Sequence, residues 1–181
     1  VASSRDRMQW RRFEVALTHA MEVGEGLELQ TTLYRHDLSR TWRRFNGFAN
    51  GPNAFEVLLA PAAPQNAHYY DVLTGALDSA IDPSGRTDDT LIVISNDRTF
   101  VSQGLQSVLR LERPATLERR FGHHVEAGVR IHYDSIVRLH TAHGYRVASQ
   151  ALVADGHPDV IETDNHGDAM AVAVHAAYVL E

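Results

Sequence analysis

Two aspartates stand where a chain can present a carboxylate to a metal or a substrate. Asp97 follows the short apolar run Thr90-Leu91-Ile92-Val93-Ile94-Ser95, which reads as a strand buried on both faces. Asp168 opens an alanine-rich stretch that reads as a helix. Carboxylates in such places also cap helices or favour the positive end of the helix dipole, so a purely structural role is open for both. His157 lies in a polar loop that it could simply stabilise. His123 and His124 with His132 invite a zinc site, but no fourth ligand stands at a convincing spacing, and surface histidines are the simpler account.

Composition removes several chemistries. The chain has no cysteine, which excludes disulfides, iron–sulfur clusters and thiol nucleophiles. All 17 basic residues are arginine, so mechanisms that need a catalytic lysine, the phosphate-binding loop and the protein kinases among them, are excluded. Arginine suits two-point contacts to phosphate or carboxylate, and a coding bias explains the usage equally well. A net charge of -6 argues against a protein that wraps phosphate strongly. At 181 residues and 44% hydrophobic content, one domain with a substantial core is the default. No run of 18 apolar residues is present, and Val1 to Arg12 lacks the apolar core of a secretory signal. The expectation is a soluble protein without a membrane partner, in the cytoplasm or an organelle such as the mitochondrion.

These residues need a frame. Arg5 to Val23 places Trp10, Phe13, Leu17 and Met21 at helical spacing opposite Arg7, Arg11 and Arg12, with Gly24 as a stop, and reads as an amphipathic helix. Phe13, Val15, Leu17 and Met21 also alternate, so a strand from Phe13 to Val23 is the other reading. Leu27 to His36, Thr41 to Ala49 and Ala54 to Ala60 read as an antiparallel meander, separated by turn compositions at Asp37-Leu38-Ser39-Arg40 and Asn50-Gly51-Pro52-Asn53. Gln65 to Ile81 reads as a helix and Thr90 to Ser95 as a central strand. Thr99 to Leu111, Leu117 to His124 and Tyr133 to His143 then read as helices, and Tyr145 to Ala154 as a strand. Asp155 to Thr163 is a loop, and Asp164 can cap a last helix through Tyr178.

That order resembles ribonuclease H type 1, and two local sequences carry the likeness further. Ser95-Asn96-Asp97-Arg98-Thr99-Phe100-Val101-Ser102-Gln103-Gly104-Leu105 is similar to the family's central strand and following helix, with Asp97 in the place of its catalytic aspartate. Ala154-Asp155-Gly156-His157-Pro158, followed by Asn165-His166-Gly167-Asp168-Ala169, is similar to its histidine loop and to the aspartate opening its last helix. The likeness runs from Leu27 to Val179. It implies an α/β domain over residues 26–181, a mixed five-stranded sheet flanked by helices, with residues 1–25 as an extra N-terminal helix.

The family cuts RNA with two divalent ions held by four carboxylates, while a histidine assists proton or product traffic. The resemblance therefore implies Asp97 and Asp168 as ligands for magnesium or manganese and His157 as the assisting group. The first strand offers Gln30-Thr31-Thr32-Leu33 or Thr18-His19-Ala20, without the expected carboxylate. The second position falls on Tyr69 in one register; in another it falls on Glu56, within Asn53 to Leu58, where proline breaks the helix. The family's basic protrusion falls near Leu109 to Gly128, where Arg110, Arg113, Arg119 and Arg120 stand without lysine or tryptophan. Two carboxylates do not hold two dications. The implied function is a degenerate, nucleic-acid-associated or structural component of a larger ribonucleoprotein, whose partners are RNA, an RNA/DNA hybrid or proteins. The alternative is a working metal-dependent ribonuclease H. The degenerate reading expects no cleavage of a labelled RNA/DNA hybrid in magnesium or manganese; the alternative expects cleavage that Asp97→Asn abolishes.

Overall fold

Alternation of side chains, rather than helical periodicity, governs most of this chain. The computed structural model describes residues 4–118 and 120–181. It is 65% strand and 10% helical, with the strands in an antiparallel sheet. The expected α/β sheet flanked by helices, with a helical N-terminal extension, is corrected accordingly. The elements in order are β1 (Arg7–Gly24), β2 (Leu27–Phe48), α1 (Ala54–Leu59), α2 (Pro64–Thr74), β3 (Leu91–Arg113), β4 (His123–Ala148), β5 (Ala151–Ala154) and β6 (Val160–Leu180). The sheet runs β1-β2-β3-β4-β5, and β6 also pairs with β4.

Four helical expectations become strand. Residues 5–23 lie largely in β1, 99–111 in β3, 133–143 in β4, and 164–178 in β6. Of residues 117–124, Leu117, Glu118, Arg120 and Phe121 are bends, His123 and His124 begin β4, and Arg119 lies outside the described residues. The physical reason is visible in β1: Phe13, Leu17 and Met21 are four apart, a spacing that puts side chains on one face of a helix and of a strand alike. Pairing with a neighbour then decides, because propensity is a weak prior. The alanines of β6 were misleading for the same reason, since Met170, Val172, Val174, Tyr178 and Leu180 alternate with them. Ala54 to Ala60, expected as strand, instead contains α1.

The chain divides into two compact units. Unit 1 comprises Val1–Trp10, Arg40–Arg98 and Arg138–Asn165. Its core joins Phe45, Phe48, Val57, Val72, Leu91 and Val147. Asn53 starts α1 with a capping box: its side chain accepts the Glu56 N–H at 2.9 Å, and the Glu56 carboxylate accepts the Asn53 N–H at 3.0 Å. Pro64 opens α2, and Gly75 closes it in a left-handed conformation (φ 78°). The helices deliver Val57 and Val72, both fully buried, and each contributes roughly 1.5–3 kcal/mol through apolar burial. β4 turns into β5 through Ser149 and Gln150, whose φ angles of 50° and 65° are those of a type I′ hairpin, with Ala148 opposite Ala151.

The long segment before β3 is pinned by Asp89. Its carboxylate accepts the Ala80 N–H at 3.0 Å and the Thr87 hydroxyl at 2.7 Å, and lies 3.2 Å from His68 Nε2. Burial opposes its ionisation, but the hydrogen bonds from Thr87, Ala80 and His68 outweigh that and hold the carboxyl below its usual range.

Unit 2 comprises Arg11–Ser39, Thr99–Val137 and His166–Glu181, and so contains the remaining lengths of β1, β2, β3, β4 and β6. Glu25 and Gly26 alone connect β1 to β2. Among its described residues the only buried large hydrophobic side chain is Val108, 6% exposed.

Asp89→Ala leaves the Ala80 N–H without its acceptor and is expected to cost about 1–3 kcal/mol. Because the folded carboxyl is depressed, its stabilisation is present above the ordinary carboxylate range and is lost as pH falls through it. Urea midpoints measured between pH 7 and pH 3 check both: the substituted protein starts lower and shows a shallower acid decline.

Candidate functional site

The residues singled out by the sequence are held by separate local partners. Asp97, on β3, accepts hydrogen bonds from the Thr41 hydroxyl at 2.5 Å and the Ser95 hydroxyl at 2.8 Å. Glu56 completes the capping box of α1. The His157 N–H donates to Asp155 at 3.0 Å, and Asp155 in turn accepts from Arg86 Nε at 2.7 Å. Asp168 belongs to unit 2, on β6, beside a surface recess lined by Phe100, Ile136 and Ala169. Among the described residues no group of three or more histidine, aspartate or glutamate side chains could hold a metal ion. The histidines once considered together go to different partners: His123 to Tyr178, His124 to Glu112 and His132 to Tyr34 and Asp134. The α/β frame that would have gathered Asp97, His157 and Asp168 is replaced by the sheet.

Unit 2 has a different organisation, set by the two-residue repeat of its strands. One face carries linked polar side chains. Arg110 donates to Glu126 at 2.8 Å and to Gln30 at 2.9 Å, and Glu126 meets His175 at 3.1 Å. Further along, Arg130 donates to the Tyr34 hydroxyl at 3.0 Å; that hydroxyl lies 2.5 Å from His132, which meets Asp134 at 2.8 Å. Thr18 and Thr32 pair at 3.0 Å, and Arg12 pairs with Glu14. These contacts place even-numbered residues of β1 to β4 and odd-numbered residues of β6 on this face. Gly128 belongs to it because the His175 ring occupies the space that a Cβ would fill.

The opposite face follows from the same parity, and it is apolar. β1 contributes Phe13, Val15, Leu17, Met21 and Val23; β2 contributes Leu33; β4 contributes Val129 and Ile131; β6 contributes Met170, Val172, Val174, Tyr178 and Leu180. All are exposed, among them Phe13 at 58%, Leu17 at 67%, Met170 at 74% and Val174 at 78%. Polar atoms on this face are mostly paired within it: the Thr31 and Ser107 hydroxyls lie 2.5 Å apart, and Arg35 donates to Asp37 and Gln103, both at 3.0 Å. His19, His166 and Asp168 are further polar side chains on this face, and His166 meets the Ser135 hydroxyl at 3.2 Å.

From Phe13 to Val23 the band covers roughly 33 Å of strand. Exposed aromatic rings stand near its ends, Phe13 where β1 enters unit 2 and Tyr178 near the end of β6. Sequence reading missed this two-faced arrangement because it divided the strands among several helices. The signal was present in the alternation of Phe13, Val15 and Leu17 and in Leu29-Gln30-Thr31-Thr32-Leu33. The chain matches no protein-family model, no curated protein and no solved structure.

Proposed function

We propose that unit 2 is part of the wall of a membrane-spanning β-barrel, with its apolar face against lipid and its polar, hydrogen-bonded face toward an aqueous interior. The observation that carries this reading is the inversion of exposure. Large apolar side chains are exposed along one face of β1, β2, β4 and β6, while the charged network of Arg110, Glu126 and His175 occupies the other. A sheet that packs in water turns its apolar face toward a second layer. A sheet in lipid turns it outward and alternates apolar-out with polar-in.

Three further features agree with it. At the roughly 45° tilt of membrane-spanning strands, roughly 33 Å of strand rises about 23 Å, which fits the roughly 25 Å apolar belt of such barrels. Hydroxyl and arginine groups on the lipid-facing side satisfy one another, as the cost of an unpaired polar group in hydrocarbon demands. Connections are unequal: β1–β2 and β3–β4 join through 2 and 9 residues, whereas β2–β3 spans residues 49–90 with two helices. Barrels pair short turns on one side with long loops on the other. That no helix is long and apolar enough to cross a membrane leaves strands unaddressed. β1 and β6 have no second neighbour among the described residues, and in a bilayer their open edges require further strands to close the barrel.

Adjacent residues on opposite faces separate this reading from a water-soluble sheet. Leu17→Arg places a charge in the apolar band and is expected to cost about 2–4 kcal/mol near the bilayer midplane, whereas Thr18→Arg faces water and is expected to be tolerated. Membrane fractionation with alkaline washing, followed by protease protection, is the assay. Retention of the unsubstituted and Thr18→Arg proteins with loss of Leu17→Arg supports the barrel. A monomer that stays folded in detergent-free buffer overturns it.

A further inference from the structure

Three arginines stand on neighbouring strands of unit 1, each outside any ion pair among the described residues. Thr41 and Asp97 meet on one face of the β2–β3 pair, so their neighbours Arg40 and Arg98 share the opposite face. On that face Arg98 Nε donates to Asn96 at 3.0 Å, and Arg138 Nε, on β4, donates to His140 Nε2 at 2.9 Å. His140 lies outside the apolar band, in the part of β4 that belongs to unit 1. Burial first, and then the charges of Arg138 and Arg98, hold its imidazole below the ordinary histidine range.

β2, β3 and β4 are consecutive in the sheet, so Arg40, Arg98 and Arg138 span about 10 Å across three strands. None of the three is in an ion pair among the described residues, and Arg40 Nε is buried with no hydrogen-bond partner. The nearby carboxylates are Asp97, engaged by two hydroxyls, and Glu162 on β6. Like charges facing one another across strands are destabilising, and a buried guanidinium nitrogen without an acceptor adds to the cost.

We propose that Arg40, Arg98 and Arg138 form a binding site for a small polyvalent oxyanion, bearing carboxylate or phosphate groups, that spans adjacent strands. Each guanidinium offers a planar fork suited to two oxygens of such a group. Asn96, next to Arg98 on the same face, adds an amide donor. His140 Nε2 accepts from Arg138 Nε and fixes the direction of that side chain. The site lies wholly within unit 1 and stands whether or not unit 2 meets lipid.

Calorimetric titration of the full chain in detergent with citrate and with pyrophosphate, at low and high salt, is the test. Binding of at least one probe is expected to weaken with salt and to fall about tenfold to a hundredfold in Arg98→Gln, as loss of a charge-assisted contact implies. Arg98→Lys, which keeps the charge and loses the fork, is expected to fall between the two. A preference for citrate identifies a carboxylate ligand, and a preference for pyrophosphate a phosphate ligand. If circular dichroism shows Arg98→Gln unfolded, Arg138→Gln replaces it. Binding unchanged by the substitution, or no binding of either probe by the unsubstituted protein at low salt, overturns the proposal.

Discussion

A strand of more than 20 residues offers a backbone donor or acceptor at every step, and buried or lipid-facing groups of this kind must be paired. β2, β3 and β4, of 22, 23 and 26 residues, satisfy that requirement through one another, in chain order. Once such strands are laid side by side, the pleat sends alternate side chains to opposite faces, and a shift of one residue would exchange the faces completely. The side-chain contacts of Thr31 with Ser107 and of Arg110 with Glu126 record the register that results. The two-faced character of unit 2 follows from it, since one register sorts the same sequence into a charged face and an apolar face.

Unit 1 is stabilised on another principle. Phe45, Leu91 and Val147 stand on strands, and α1 and α2 bring Val57 and Val72 against them in an ordinary apolar core. The polar contacts there serve placement: Asn66 donates to the carbonyls of Glu56 and Ala60 at the end of α1, and Asp89 gathers the segment that leads into β3. A conventional core in unit 1 and outward apolar side chains in unit 2 are opposite solutions to burial within one chain. That difference is what the proposed barrel rests on, with an ordinary core in the first unit and an exposed apolar face in the second.

Charge is likewise distributed by strand pairing rather than by the local sequence. In unit 2 the pairing gives Arg110 an acidic neighbour in Glu126 on the adjacent strand, and the two form an ion pair at 2.8 Å. In unit 1 the same kind of pairing aligns arginines and leaves them to Asn96 and His140. A net charge of -6 therefore coexists with a locally cationic strip. The composition alone reveals nothing of it, because it sums over residues that the sheet keeps apart.

The sequence by itself determined the local punctuation: Gly24 at the end of β1, α2 after Pro64 with its apolar Val72, and the strand character of Leu91 to Ser95. It also contained the alternation of Phe13, Val15 and Leu17, but a spacing of four fits a helix and a strand equally, so one chain segment could not choose between them. The alanines of β6 pulled that segment toward helix by propensity alone. Only the tertiary structure decided these cases, because a strand is stabilised by a neighbour distant in sequence, and its hydrogen bonds do not exist until that neighbour is in place. The candidate site was hidden for the same reason: Arg40, Arg98 and Arg138 are separated by 58 and 40 residues and become neighbours only across β2, β3 and β4.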